Sequence, residues 1–240
     1  MRAVALAALF AVAMGGVAAA DTWTDPNGRF TFDKPSGWTV SVEHSQGFSY
    51  VIAGNANNEC QFVAKPNPNS ASSNPWDVRR TASMDADGPF NEAAWMALAN
   101  SVTPIFPNNS AHFVSRSVDT SGFWPVQRAE LTSPQRPVHA AIQIRPGMDL
   151  NGFCMTYDGA EPTAVYDHVL ASMGTANDTQ LQAAITEHEA NRTAAQAAAD
   201  EQRAQQQAQQ RTQQAQQQQQ NQHGFNGHDS REGAALGHHN

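Results

Sequence analysis

Large apolar residues almost stop after Met173: only Leu181, Ile185, Phe225 and Leu236 follow in the rest of this 240-residue chain. A core forms because apolar side chains leave water at roughly 25 cal/mol per Å², and four scattered ones enclose nothing. Downstream of residue 20, all the aromatic residues except Phe225 lie between Trp23 and Tyr166. The predicted organisation is therefore one folded domain over residues 21–175, an Ala/Gln-rich extension over 176–222 and a disordered tail over 223–240.

Residues 1–20 stand apart. Arg2 supplies a positive start, residues 3–14 an apolar run, and Ala18, Ala19 and Ala20 a small-residue cleavage site, the pattern of a secretory signal peptide. The run is too short to cross a bilayer, Gly15 and Gly16 interrupt it, and no transmembrane anchor is expected downstream. The expected location is periplasmic or secreted, with cleavage near Ala20. No Cys follows that site, which argues against lipid attachment there.

Export bears on the only two cysteines, Cys60 and Cys154. In an oxidising compartment two thiols of one domain pair, and closing so long a loop stabilises by up to ~4–5 kcal/mol in the chain-entropy model. The alternative is a catalytic thiol, although no motif sets a His beside either cysteine. Net charge is −8, and loss of Arg2 with the leader makes it −9. A chain this acidic, with Lys34 and Lys65 its only lysines, lacks the basic patch that neutralises phosphates, so no nucleic-acid partner is expected.

Phe30 and Phe32 alternate with polar neighbours, Pro35-Ser36-Gly37 turns the chain, and Trp38, Val40 and Val42 alternate again, which predicts two paired strands founding a sheet. Further strands are predicted at 47–53 and 59–64, the latter with Cys60, Phe62 and Ala64 on one face. Pro75 after Asn74 marks a short capped helix to about Thr81. A second helix is expected after Asp87-Gly88-Pro89, with Phe90, Ala94, Trp95, Leu98 and Val102 as its apolar stripe. Strands follow at 112–118, 126–131, 138–145 and 152–157. A closing helix begins at Pro162, carries Val165, Tyr166, Val169, Leu170 and Met173 on one side, and stops at Gly174. Antiparallel strands interrupted by helices imply an α+β layer structure in which helices cover the sheet.

Three stretches, Gly28-Arg29-Phe30-Thr31-Phe32, Lys34-Pro35-Ser36-Gly37-Trp38 and Val169-Leu170-Ala171-Ser172-Met173, give the chain a resemblance to the PsbP/Mog1-like superfamily, including its bacterial secreted members of unassigned function. The resemblance covers residues 23–174. It implies an α/β/α sandwich that serves as a binding or assembly module without catalysis. It carries no functional residue across, because the matching positions are structural.

In the extension, Ala, Gln, Glu and Arg favour helix, and helix is predicted from Asp178 to about Gln213. An Ala-seam coiled coil is one reading of it, with heptads poorly kept. In the tail, His223, His228, His238 and His239 are the one histidine cluster, and metal binding or buffering through them is the alternative function. Their spacing matches no fixed metal site.

Within the domain, His44, His112, His139 and His168 lie near no nucleophile signature, and residues 47–51 lack the second glycine of a nucleophile elbow. His139 and His168 are expected to be surface groups. Asp85 and Asp87, and Asp21, Asp25 and Asn27, fall short of a full oxygen-ligand loop for calcium and read as caps and turns. Trp38 and Trp95 are expected in the core, whereas Trp76 and Trp124, beside Pro-rich loops, are the candidate partner contacts. No enzyme activity and no cofactor are expected. The function read from the sequence is a non-catalytic accessory or binding module of the cell envelope.

Overall fold

The computed structural model describes residues 21–45, 48–84 and 90–232. The leader, Asp85 and Asp87, and His238 and His239 lie outside the described residues.

Two short strands, β1 (Asp21–Thr24) and β2 (Thr31–Lys34), form an antiparallel ribbon of their own. Asp25-Pro26-Asn27-Gly28 makes its turn, where the Gly28 N–H donates to the Asp25 carbonyl (2.7 Å) at a φ of +67° that a side chain would resist. The expected pairing of β2 with the next strand is therefore corrected. Residues 35–38 instead carry the chain across to β3 (Thr39–Ser45), at one edge of a separate seven-stranded sheet.

That sheet continues through β4 (Phe48–Gly54), β5 (Asn58–Pro66), β6 (His112–Asp119), β7 (Val126–Ser133), β8 (Arg136–Arg145) and β9 (Met148–Thr156). Its spatial order is β3-β4-β5-β9-β8-β7-β6, antiparallel throughout. β9 thus inserts between β5 and β8 and brings Cys154 directly opposite Cys60, where the two form a disulfide.

Helices cover both faces, making an α/β/α sandwich. On one face lie the β1–β2 ribbon and α3 (Thr163–Ala171), enclosing Phe30, Phe32, Phe62, Leu150, Tyr166 and Leu170. Gly152 on β9 permits this close approach, since a Cβ there would stand 2.6 Å from Leu170 Cδ2 and 3.1 Å from Met173 Sδ. The ribbon is tied to the end of α3 by reciprocal backbone bonds between Thr31 and Gly174 (2.8 and 2.9 Å). On the other face lie α1 (Pro75–Ala82) and α2 (Glu92–Ser101), with Trp95, Phe106, Leu131, Val138 and Phe153 in the second cluster. Asn74 caps α1 through the Trp76 N–H and Asn91 caps α2 through the Ala94 N–H.

Covering both faces overturns the expectation for β8. Its apolar residues face α2 as alternation predicts, yet His139, Gln143 and Arg145 on the opposite side are also buried, beneath α3 and the residues that follow it. His139 is a buried group, not a surface one.

The last helix, α4 (Asp178–Glu232), runs past the expected end at Gln213. The chain divides into two compact units, one ending at Ile185 and one beginning at Thr186. The first turns of α4 belong to the first unit: Ile185 is fully buried, and Asp178 accepts from Arg145. In the second unit the described side chains are exposed, His188 partly so. Among the described residues no helix is long and apolar enough to cross a membrane.

Candidate functional site

On the face of β5, β9 and β8 that carries α1 and α2, residues of both helices and of the three strands line a groove of about 570 Å³. Alternation in β8 aims Ile142 and Ile144 into its floor, where Val78 of α1 and Phe90, Ala94 and Leu98 at α2 add apolar walls. Polar groups rim it. Asp149 lies opposite Lys65 in the β5–β9 register, and the Asn67 amide donates to both Asp149 carboxylate oxygens at 3.1 Å. A second hollow of about 350 Å³ shares Lys65, Leu98 and Asn151 with the first and continues past α2 to Tyr50, Val63 and Phe153. Tyr50, Ile52 and Val63 there are only partly buried, so this half of the sheet presents an apolar shelf. The Tyr50 hydroxyl donates to Gln61 Oε1, and burial first, then Glu59 and Glu43, pushes its pKa up to about 12. The shelf is uncharged at neutral pH apart from its rim. Apolar surfaces of this kind can bind by excluding water from apolar contacts, and Lys65 and Asp149 are the charged groups at this one's rim.

A third hollow, of about 480 Å³ beside β6 and β7, is polar, and its charges answer one another. Arg128 pairs with Asp167 at 2.7 Å and with Asp119 at 3.4 Å. Ser121, donating from its hydroxyl and its backbone, holds the Asp119 carboxyl below the usual range.

Two constellations escaped the sequence because the topology assembles them. Asp25, His44 and Ser49 meet at the ribbon: Ser49 Oγ lies 3.2 Å from both Asp25 Oδ2 and His44 Nδ1, and His44 Nε2 is 3.4 Å from Asp25 Oδ1. These are the residue types of a charge-relay set, but Ser49 and Asp25 are buried at 0% and 1% exposure. A nucleophile must be reached by substrate, and this serine is spent bridging Asp25 to His44. The turn expected at Asp25 is present, and its carboxylate is a buried structural acceptor.

His139 is the second. Its Nδ1 is 2.9 Å from Glu130 Oε1, its Nε2 meets Glu161 Oε1, and its ring lies against Tyr166. The hydrogen bond to Glu130 raises its pKa above 6.5, against the opposing effect of burial, with Glu130, Glu161 and Asp167 adding attraction. Folding therefore increases the affinity of this ring for a proton. The resulting stabilisation is complete below the unfolded value near 6.5 and is lost as pH rises through the higher folded value. We expect thermal melts between pH 6 and 9 to show a decline in this range that His139→Gln flattens.

The structure disperses the residues singled out from sequence. Cys60 and Cys154 meet in the disulfide, which removes the catalytic-thiol alternative. Trp76 is half-buried on the first turn of α1, with Arg80 over its ring at 5.6 Å. Trp124 is 8% exposed and sandwiched against the Arg145 guanidinium at 4.0 Å. His168 is exposed beside Asp33 at 3.3 Å, and α3 does not bring it to the other histidines. His223 and His228 fall within α4, but their side chains are not among those described. Among the described residues no group of three or more His, Cys, Asp or Glu is arranged to hold a metal.

No protein-family model matches the chain, and no curated protein is matched by its sequence. Among solved structures it is similar to the solution structure of cyanobacterial PsbP (CyanoP) from Synechocystis sp. PCC 6803, at 15% identity and a TM-score of 0.42, covering 71% of this chain and 98% of that one. It is also similar to a crystal structure from Bacteroides thetaiotaomicron VPI-5482, at 14% identity and a TM-score of 0.33, covering 65% of this chain and 48% of that one. Neither likeness carries a function across to this chain.

Proposed function

We propose that this chain is a non-catalytic accessory module of the cell envelope, exported to the periplasm or beyond, whose groove between α1 and α2 receives an apolar segment of an envelope partner. The observation that carries the reading is the groove itself: a floor of Ile142 and Ile144, walled by Leu98, that runs on to the half-covered Tyr50 and Val63, bordered by a few polar groups. Trp76 adds a half-buried aromatic on α1. Export is supported by the leader pattern and by the disulfide, which suits an oxidising compartment.

The test compares recovery of bound protein from an envelope fraction by the full chain, by Val63→Arg and by Leu98→Glu. Each substitution sets a charge against apolar contacts, and a loss of about 1.4 kcal/mol corresponds to tenfold weaker binding. Recovery is expected to fall about tenfold or more for both variants, with unchanged far-ultraviolet circular dichroism. Equal recovery by all three chains would exclude the groove.

A further inference from the structure

Beyond Ile185, α4 has no buried face: from Glu189 to Gln219 every side chain is exposed. Helices in water draw most of their stability from packing, so a run this long without it calls for a partner. Six of the nine alanines between residues 190 and 215, Ala190, Ala194, Ala197, Ala204, Ala208 and Ala215, fall on one seam of alternating four- and three-residue steps, with Glu201 and Arg211 at the two intervening seam positions and Ala195, Ala198 and Ala199 off it. That alternation is the heptad repeat whose seam faces a second helix, and alanine lets two backbones approach closely.

The seam is also symmetric. Reflected about residue 206, Ala197 exchanges with Ala215, Glu201 with Arg211 and Ala204 with Ala208. An antiparallel partner with the same sequence would therefore place alanine against alanine, and Glu201 against Arg211 twice. A parallel, in-register partner would set Glu201 against Glu201 and Arg211 against Arg211, and like charges at the seam repel. The other nearby charges do not compete for the seam: Asp200 and Arg203 pair with each other on the flank at 2.5 Å. We propose that residues 197–215 of α4 pair with the same segment of a second copy of this chain, as an antiparallel two-helix coiled coil centred on residue 206. Glu201 and Arg211 interrupt the alanines of the seam. In the antiparallel register those two interruptions become the orienting contacts.

Sedimentation of the chain from residue 21 to residue 240 tests the pairing. A concentration-dependent dimer is expected. Glu201→Arg should weaken it about tenfold or more, and Glu201→Arg combined with Arg211→Glu should restore it, since both sites are exposed and neither change touches the folded unit. Orientation is read by oxidising a mixture of Ala204→Cys and Ala208→Cys chains. Crosslinks between the two variants are expected, and none within either alone, because residues 204 of antiparallel partners stand too far apart to bridge. A chain that stays monomeric at about 100 μM, roughly a hundredfold above a micromolar Kd, overturns the proposal. A dimer indifferent to Glu201→Arg, or Ala204→Cys chains that crosslink to themselves, overturns it equally.

Discussion

Replacing Cys60 and Cys154 together by alanine should lower the unfolding free energy by up to about 4.7 kcal/mol, the value for closing a loop approaching 100 residues in the chain-entropy model. The two residues are 94 positions apart and directly opposed across β5 and β9, both fully buried. The bond spans the two strands that join the β3-β4-β5 half of the sheet to the β6-β7-β8 half. Without it, the unfolded chain regains the freedom of everything between, which includes α1, α2 and three strands. Urea denaturation of the double variant, compared with the oxidised wild type, gives the difference directly. An unchanged midpoint would mean that the sheet alone specifies the β5–β9 pairing and that the crosslink contributes nothing.

The second large effect is expected at Arg145. This guanidinium, 1% exposed, is held by both carboxylate oxygens of Asp178, by Gln143 Oε1 at 3.1 Å and by the Met173 carbonyl at 3.3 Å, and it lies over the Trp124 ring. Burial pulls its pKa below the ordinary arginine value while Asp178 pulls the other way. Removing one member of such a pair leaves a charge in the interior without its counter-charge, which costs about 3–5 kcal/mol. Asp178→Asn should therefore destabilise by about 3 kcal/mol, the lower end of that range because Asp178 keeps some contact with solvent. Combined with Arg145→Met, it should cost clearly less than the sum of the two single changes. A double-mutant cycle by urea denaturation measures that coupling, and strict additivity would show that the two groups do not act together.

This contact also explains where the folded unit ends. From composition, the domain stops where large apolar residues run out, near residue 175. Asp178 and Ile185 lie beyond that point and are integral to the unit, one through charge and one through a single buried side chain. Neither leaves a periodic signal, since one isoleucine and one aspartate in an Ala/Gln-rich helix look like any surface positions.

Elsewhere the alternation of strands and the stripes of helices were legible because burial imposes them. Residues 138–145 showed their α2-facing side plainly in Val138, Ala140, Ile142 and Ile144. Their other side misled, because His139, Gln143 and Arg145 are polar yet buried, each with a partner more than 20 positions away, His139 adding Glu130 on the next strand and Arg145 adding Gln143 on its own. Long-range satisfaction of that kind is invisible to local pattern. The same holds for the Asp25, His44 and Ser49 cluster, which the β1–β2 ribbon and the β3–β4 hairpin bring together. It holds again for the misread opening hairpin, where Pro35-Ser36-Gly37 marks a genuine change of direction but not which strand pairs with which.

The groove could not be read in advance at all. Its floor is an ordinary apolar strand face, and the groove exists only where residues of α1 and α2 come together with Ile142 and Ile144. Its role as the binding surface is tested most directly by a photo-crosslinking side chain placed at Val63, with a second placed at the exposed Asp158 as reference. Adducts with one envelope protein at position 63, absent at 158 and suppressed by Leu98→Glu, are the predicted result. Adducts of equal yield at both positions, or unaffected by Leu98→Glu, would contradict the account.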